Sequence, residues 1–337
     1  MKNSLAAAAL LALGLLPVSS PAEEYKLTFV TSNLPGTTLI KGANMLVDRV
    51  NEYTNGQVKL KLNTSMLIGA ELAPAVRDGM VDMVGVVNAY VSTSEPMMGL
   101  QNLPGIIGNR AQYQAALNAG WRDKINSAWL NNWNAVKLAE GNMETNVLIT
   151  RKPVVAIKDF SRMKLRVFDP ISAQLIGVLG AVPTPLDPSD IAAGLERGII
   201  DGLFTGVCIE NKLEFWRGAK NNSDWNISTM QGWSLLANKA SWAKLPPDLQ
   251  AKVIAAGQSV EKELRDTYDA HVADCVNSLK SHGVVFNEVP EDQLKAALAP
   301  QNTDPLINRW LDQAKAKGYD DADAFLSKIR EAVLAAK

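Results

Sequence analysis

From Pro247 to His282 the chain carries no proline after Pro247 and a single glycine, Gly257. Val253, Ile254, Val260, Leu264, Tyr268, Val272, Val276 and Leu279 recur there at helical spacings. That pattern predicts one long helix, with a bend allowed near Gly257. A helix of this length is uncommon inside one compact domain. A helix that spans two lobes explains it, and 337 residues leave room for two domains of roughly 100–200 residues each.

The rest of the chain alternates strand and helix signals. Lys26–Ser32 reads as a strand closed by Asn33-Leu34-Pro35-Gly36, and Thr37–Tyr53 as a helix with Leu39, Ala43, Leu46, Val47 and Val50 on one face. Asn55-Gly56 turns the chain into Gln57–Leu62, where Val58, Leu60 and Leu62 alternate. Downstream, Val81–Val87, Val136–Glu140, Asn146–Thr150, Lys164–Phe168 and Ile199–Thr205 read as strands. Ala70–Asp78, Ile171–Leu179 and Ser189–Arg197, capped by Ser189, read as helices, and Glu291–Lys337 is helical again. Alternation of this kind argues for α/β sheets covered by helices.

The N-terminus sets the expected compartment. Lys2 precedes an apolar run from Leu5 to Leu16, and small residues stand three and one places before a cut after Ala22. This is the pattern of a cleaved secretory leader, and its apolar run is shorter than the roughly 20 residues a spanning helix needs. A formal net charge of −1 gives no basic footprint for nucleic acid. Cys208 and Cys275 are the two cysteines. An exported protein can pair them, and their spacing leaves the pairing open.

Catalytic signatures are scarce. There is no nucleophile elbow, paired-histidine zinc motif or phosphate loop. The two histidines, His271 and His282, share one face of the long helix with Cys275. Ligands strung along one straight helix diverge, whereas a metal needs them to converge, so no metal is expected there. Asp201 and Asp187 are the nearest acid–base candidates, and both read as turn residues. Arg166 is different, because it lies in the apolar stretch Met163-Lys164-Leu165-Arg166-Val167-Phe168. Its planar guanidinium matches a carboxylate in two parallel hydrogen bonds. An arginine with its stem on a sheet edge and its head in water fits the same pattern.

The stretch from Phe160 to Gly206 resembles the substrate-binding proteins of tripartite ATP-independent periplasmic (TRAP) transporters. The resemblance rests on Met163-Lys164-Leu165-Arg166-Val167, Leu179-Gly180-Ala181, Pro183-Thr184-Pro185 and Ala193 to Asp201-Gly202, and it extends over the chain beyond the leader. It implies an α/β, two-lobed periplasmic binding protein fold with a long helix crossing both lobes and a ligand held between them. The expected division is 1–22 leader, 23–144 and 231–270 first lobe, and 145–230 and 271–337 second lobe, C-terminal helices included.

The same resemblance implies the site. Arg166 is the residue that forks onto the ligand carboxylate. Ser32, Asn33, Asn88, Tyr90, Asn146 and Thr205 match cleft-lining positions, and Phe168, Phe204, Trp216 and Trp233 lie near them. Asn146 stands where sialic-acid binders carry arginine, Val87 where they carry an acid, and Thr205 where many members carry asparagine. These departures remove groups that would read sugar hydroxyls, since each buried donor or acceptor needs a match. The expectation is therefore a periplasmic solute-binding protein for a small, apolar-bodied or aromatic organic acid, with a small dicarboxylate or keto acid left open. It hands its ligand to the membrane subunits of a TRAP transporter and uses no cofactor. A ligand sensor that presents its closed lobes to a receptor, or a secreted enzyme acting on an organic acid, are the other classes the residues allow.

Overall fold

The computed structural model describes residues 24–32, 34–186, 190–227 and 230–336. The expected leader with its cut after Ala22, Asn33, Asp187 and the Ser189 cap lie outside these residues. Among the described residues eleven strands form two sheets. They are β1 (Tyr25–Thr31), β2 (Val58–Asn63), β3 (Met83–Val87), β4 (Ala135–Asn142), β5 (Asn146–Thr150), β6 (Lys164–Arg166), β7 (Val182–Pro183), β8 (Gly202–Gly206), β9 (Asn221–Ser223), β10 (Gly232–Asn238) and β11 (Val285–Asn287). The first sheet has the order β2-β1-β3-β10-β4 and the second β11-β9-β5-β8-β6-β7. The chain leaves the first sheet after Asn142, enters the second at Asn146 and returns at Gly232. Each sheet therefore builds one lobe.

Local chemistry sets the elements. In the Thr38–Tyr53 helix, Thr37 caps the start by accepting from the Ile40 amide, and Leu39, Ala43, Leu46 and Val50 are buried on one face. Asn55 and Gly56 turn the chain with positive φ (49° and 75°), which asparagine and glycine tolerate. β2 then runs parallel to β1, with Val58 and Leu60 buried and Lys59 and Lys61 exposed.

The long helix spans Pro247–Ser281. Its first half packs on the Thr38–Tyr53 helix and on β4, both in the first lobe. Its second half packs on the Val207–Lys212 helix of the second lobe. Gly257 marks close packing rather than a break. A Cβ at that position would sit 2.0 Å from the Leu138 carbonyl oxygen, so only glycine lets the helix backbone approach β4. At the other end Cys208 and Cys275 form a disulfide that ties the Val207–Lys212 helix to the long helix, with Cα atoms 5.1 Å apart.

The C-terminal helices pack on both lobes. Helix Glu291–Ala297 stays with the second lobe, where the Gln293 side-chain oxygen accepts from the Ile157 amide and Ala297 joins a core with Phe160, Leu165 and Trp225. Helix Pro300–Ala316 bridges the lobes, with Leu306 in the second-lobe core and Arg309 donating to the Gln174 side-chain oxygen at 2.6 Å, and together with helix Ala322–Ala335 it also covers the outer face of the first lobe. There the Trp310 indole donates to the Pro96 carbonyl at 2.8 Å, the Tyr319 hydroxyl donates to Glu95 at 2.6 Å, and Phe325 and Ile329 enter a core with Trp121 and Trp129. Their periodicity gave the apolar face but not the surface that covers it. No helix among the described residues is long and apolar enough to cross a membrane.

Gly257→Ala should lower stability by about 1–3 kcal/mol through this overpacking. Urea unfolding checks it, and an unchanged midpoint would mean that the helix and β4 separate at no cost.

A cleft between the sheets with one cation in an apolar wall

A cavity of about 820 Å³ lies between the two lobes. It forms at the carboxyl ends of β1, β3, β6 and β8, where open α/β sheets leave a crevice between diverging connections. Ser32 follows β1, Val87 ends β3, Arg166 ends β6 and Thr205 stands one residue before the end of β8. Asn146 opens β5, beside Thr205.

Most of the lining is apolar. Leu34, Pro35, Ile68, Val87 and Met143 contribute from the first lobe and the crossover, and Val167, Phe168, Leu186, Ile191, Ile209 and Phe215 from the second. Among the described residues that line it, Arg166 is the sole cation and Glu71 the sole carboxylate. Arg166 is half-buried, with Leu165 below it in the second-lobe core, and its Nε donates to the Leu186 carbonyl at 3.4 Å. Strand pairing of this segment stops at Arg166, so Val167 and Phe168 both turn toward the cavity instead of alternating. Burial pushes the Tyr90 phenol above its ordinary value, while the neighbouring Arg166 charge opposes that shift. Behind the wall, burial pushes the Glu210 carboxyl up to about 8, and the Asn222 amide that donates to it at 2.6 Å pulls the other way.

Two side chains hold the loop at the rim. The Ser32 hydroxyl oxygen accepts from the Gly69 amide at 2.8 Å, and the Glu71 carboxylate accepts from the Ile68 amide at 3.0 Å. Ile68 is thereby held with 54% of its surface exposed, at the edge of the cavity.

The structure brings Ser32, Tyr90, Asn146, Arg166, Phe168 and Thr205 together around this cavity. Other expected positions lie elsewhere. Asn88 turns into the first lobe, where its Oδ1 accepts from the Ser234 hydroxyl at 2.9 Å. Trp233 is fully buried, donates from its indole to Thr38 Oγ1 at 3.1 Å, and lines a separate cavity of about 550 Å³ beside the long helix. Trp216 stacks on His282 with ring centroids 4.1 Å apart. Phe204 enters the second-lobe core with Phe160 and Trp225, because alternation along β8 sends it away from Thr205. Asp201 is a tie between strands, accepting from the Lys164 amide at 2.8 Å.

Residues 29–311 match the family described as bacterial extracellular solute-binding protein, family 7. The chain belongs to this family. Among relatives of this solute-binding protein, a sialic acid-binding periplasmic protein of Vibrio cholerae is 23% identical over 79% of this chain and 83% of its own length. A 2,3-diketo-L-gulonate-binding periplasmic protein of Escherichia coli K12 is 24% identical over 77% of this chain and 80% of its own. The fold is shared with a Bordetella pertussis extracytoplasmic solute receptor binding pyroglutamic acid, at a TM-score of 0.82, 20% identity and coverage of 90% and 99%. It is shared also with a TRAP periplasmic solute-binding protein of Xanthobacter autotrophicus with bound β-D-galacturonate, at a TM-score of 0.78, 21% identity and coverage of 93% and 100%.

In this solute-binding protein the rim loop depends on Ser32. Ser32→Ala removes a bond worth about 0.5–1.5 kcal/mol, so amide exchange at Gly69 should quicken by about 2–10-fold. Hydrogen-exchange mass spectrometry reads the change, and an unaltered Gly69 rate would show that the loop holds itself.

Proposed function

We propose that this protein captures a small monocarboxylate with an apolar or compact body in the cleft and passes it to the membrane subunits of a TRAP transporter. It acts in the periplasm after its leader is removed. The observation that carries the reading is the position of Arg166, a fixed cation in a wall that is otherwise apolar. The planar guanidinium can donate two charge-assisted bonds to a ligand carboxylate, and the surrounding side chains take the rest of the ligand. Tyr90, Asn146 and Thr205 supply short-range polar contacts, and Phe168 offers a ring face. Few of these groups suit a ring of hydroxyls, so a uronic acid fits less well than a pyroglutamate-like acid. Closure of the lobes excludes water and strengthens the Arg166–carboxylate attraction.

Calorimetry with pyroglutamate and galacturonate tests the reading. Pyroglutamate should bind the more tightly. Arg166→Ala should weaken it by about 10-fold or more, since hydrogen bonds to charged groups contribute roughly 1.5–3 kcal/mol. Arg166→Lys should also lose affinity, because an ammonium has no fork. Unchanged affinity in both variants would remove Arg166 as the anchor.

A further inference from the structure

One cluster at the joint between the long helix and the second lobe plays no part in the cleft. Cys208, His271 and Cys275 come from two facing helices, and one potential ligand atom from each lies within 4.8 Å of the other two. His271 and Cys275 stand one turn apart on the long helix. Cys208 approaches them from the Val207–Lys212 helix. That second helix supplies the convergence which residues along one helix lack.

The surroundings of His271 fix its tautomer. Its Nε2 lies 3.1 Å from the Gly36 carbonyl oxygen and 3.2 Å from Glu144 Oε1. Both are acceptors, so Nε2 carries a proton, and Nδ1 is the nitrogen left to take a metal when its own proton is displaced. Glu144 is fully buried, and its Oε1 also accepts from the Thr38 amide at 2.7 Å, which holds the carboxylate in place. A carboxylate that accepts from the far nitrogen of a histidine is the arrangement that orients metal-binding imidazoles. The His271 side chain is 24% exposed, which gives an ion a way in.

We propose that, when the disulfide is reduced, Cys208, Cys275 and His271 bind one zinc ion, with water in the fourth position. A dithiol reductant supplies two electrons and two protons. The S–S bond breaks to give two thiols, and the reductant becomes a disulfide. Zinc then forms two bonds to sulfur and one to His271 Nδ1, and the two thiol protons pass to the solvent. Two soft thiolates and an imidazole in tetrahedral reach suit zinc, at about 2.3 Å to sulfur and about 2.0–2.1 Å to nitrogen. The ion would clamp the same two helices that the disulfide clamps, so the joint at the cleft wall is held in either redox state.

Cobalt(II) reports the ligands directly. The full-length protein is reduced with a dithiol, freed of it without air, and titrated with cobalt(II) and then zinc. Reduced wild type should take up one ion per chain with sulfur-to-cobalt charge-transfer absorbance, and zinc should abolish the band. The oxidised protein should show none. His271→Ala should weaken the metal by about 10-fold or more, and Glu144→Gln by about 10–100-fold. His282→Ala should leave the affinity unchanged. Absence of stoichiometric binding to the reduced protein, or equal affinity in wild type and His271→Ala, overturns the proposal. An equal loss in the two histidine variants does so as well.

Discussion

The cleft exists because one helix is fastened to two bodies. Near its start, the Gly257 backbone presses against the Leu138 carbonyl of β4. Near its end, Cys275 is bonded to Cys208 on the second lobe. Between these fastenings, Glu144 on the crossover accepts from Thr38 of the first lobe and lies against His271 of the long helix. The short crossovers, this helix and helix Pro300–Ala316, which reaches Gln174 through Arg309 and Pro96 through Trp310, all join the lobes and constrain the angle between them. The space between the carboxyl ends of their strands is therefore a property of the whole chain, and neither lobe could form it alone.

That frame decides what a lone arginine can do. Arg166 ends a three-residue strand whose neighbours, Leu203 on β8 and Pro183 on β7, hold the backbone in register. Leu165 locks the segment from below, in the second-lobe core. The guanidinium is presented by rigid structure, so little ordering remains to be done when an anion arrives. In the proposed function, the apolar wall would raise the value of an Arg166–carboxylate interaction by lowering the local dielectric on closure.

The sequence revealed the fold well, because its strongest signals were local and periodic. The long helix ends within one residue of its expected limit, and β5 begins and ends at its expected bounds. The segments that the resemblance named reach the cavity, but several of the side chains it named do not line it. Val87 faces the cavity and Asn88 does not; Phe215 does and Trp216 does not. One residue along a strand end or a tight turn reverses the face, and pairing limits such as the end of β6 at Arg166 have no signature in composition. Gln231 lines the cavity from an irregular crossover, where no period exists to find it. The surfaces that the last two helices cover were illegible for a similar reason, since an amphipathic stripe names no partner.

The central claim is that a ligand carboxylate sits on Arg166 inside the interlobe cleft. A crystal structure of the protein with its co-purified or added acid tests it most directly. The account predicts both carboxylate oxygens at about 2.7–3.2 Å from Arg166 nitrogens, with the ligand body against Phe168 and Val87. A carboxylate held by other groups, with Arg166 turned to bulk water, would contradict it.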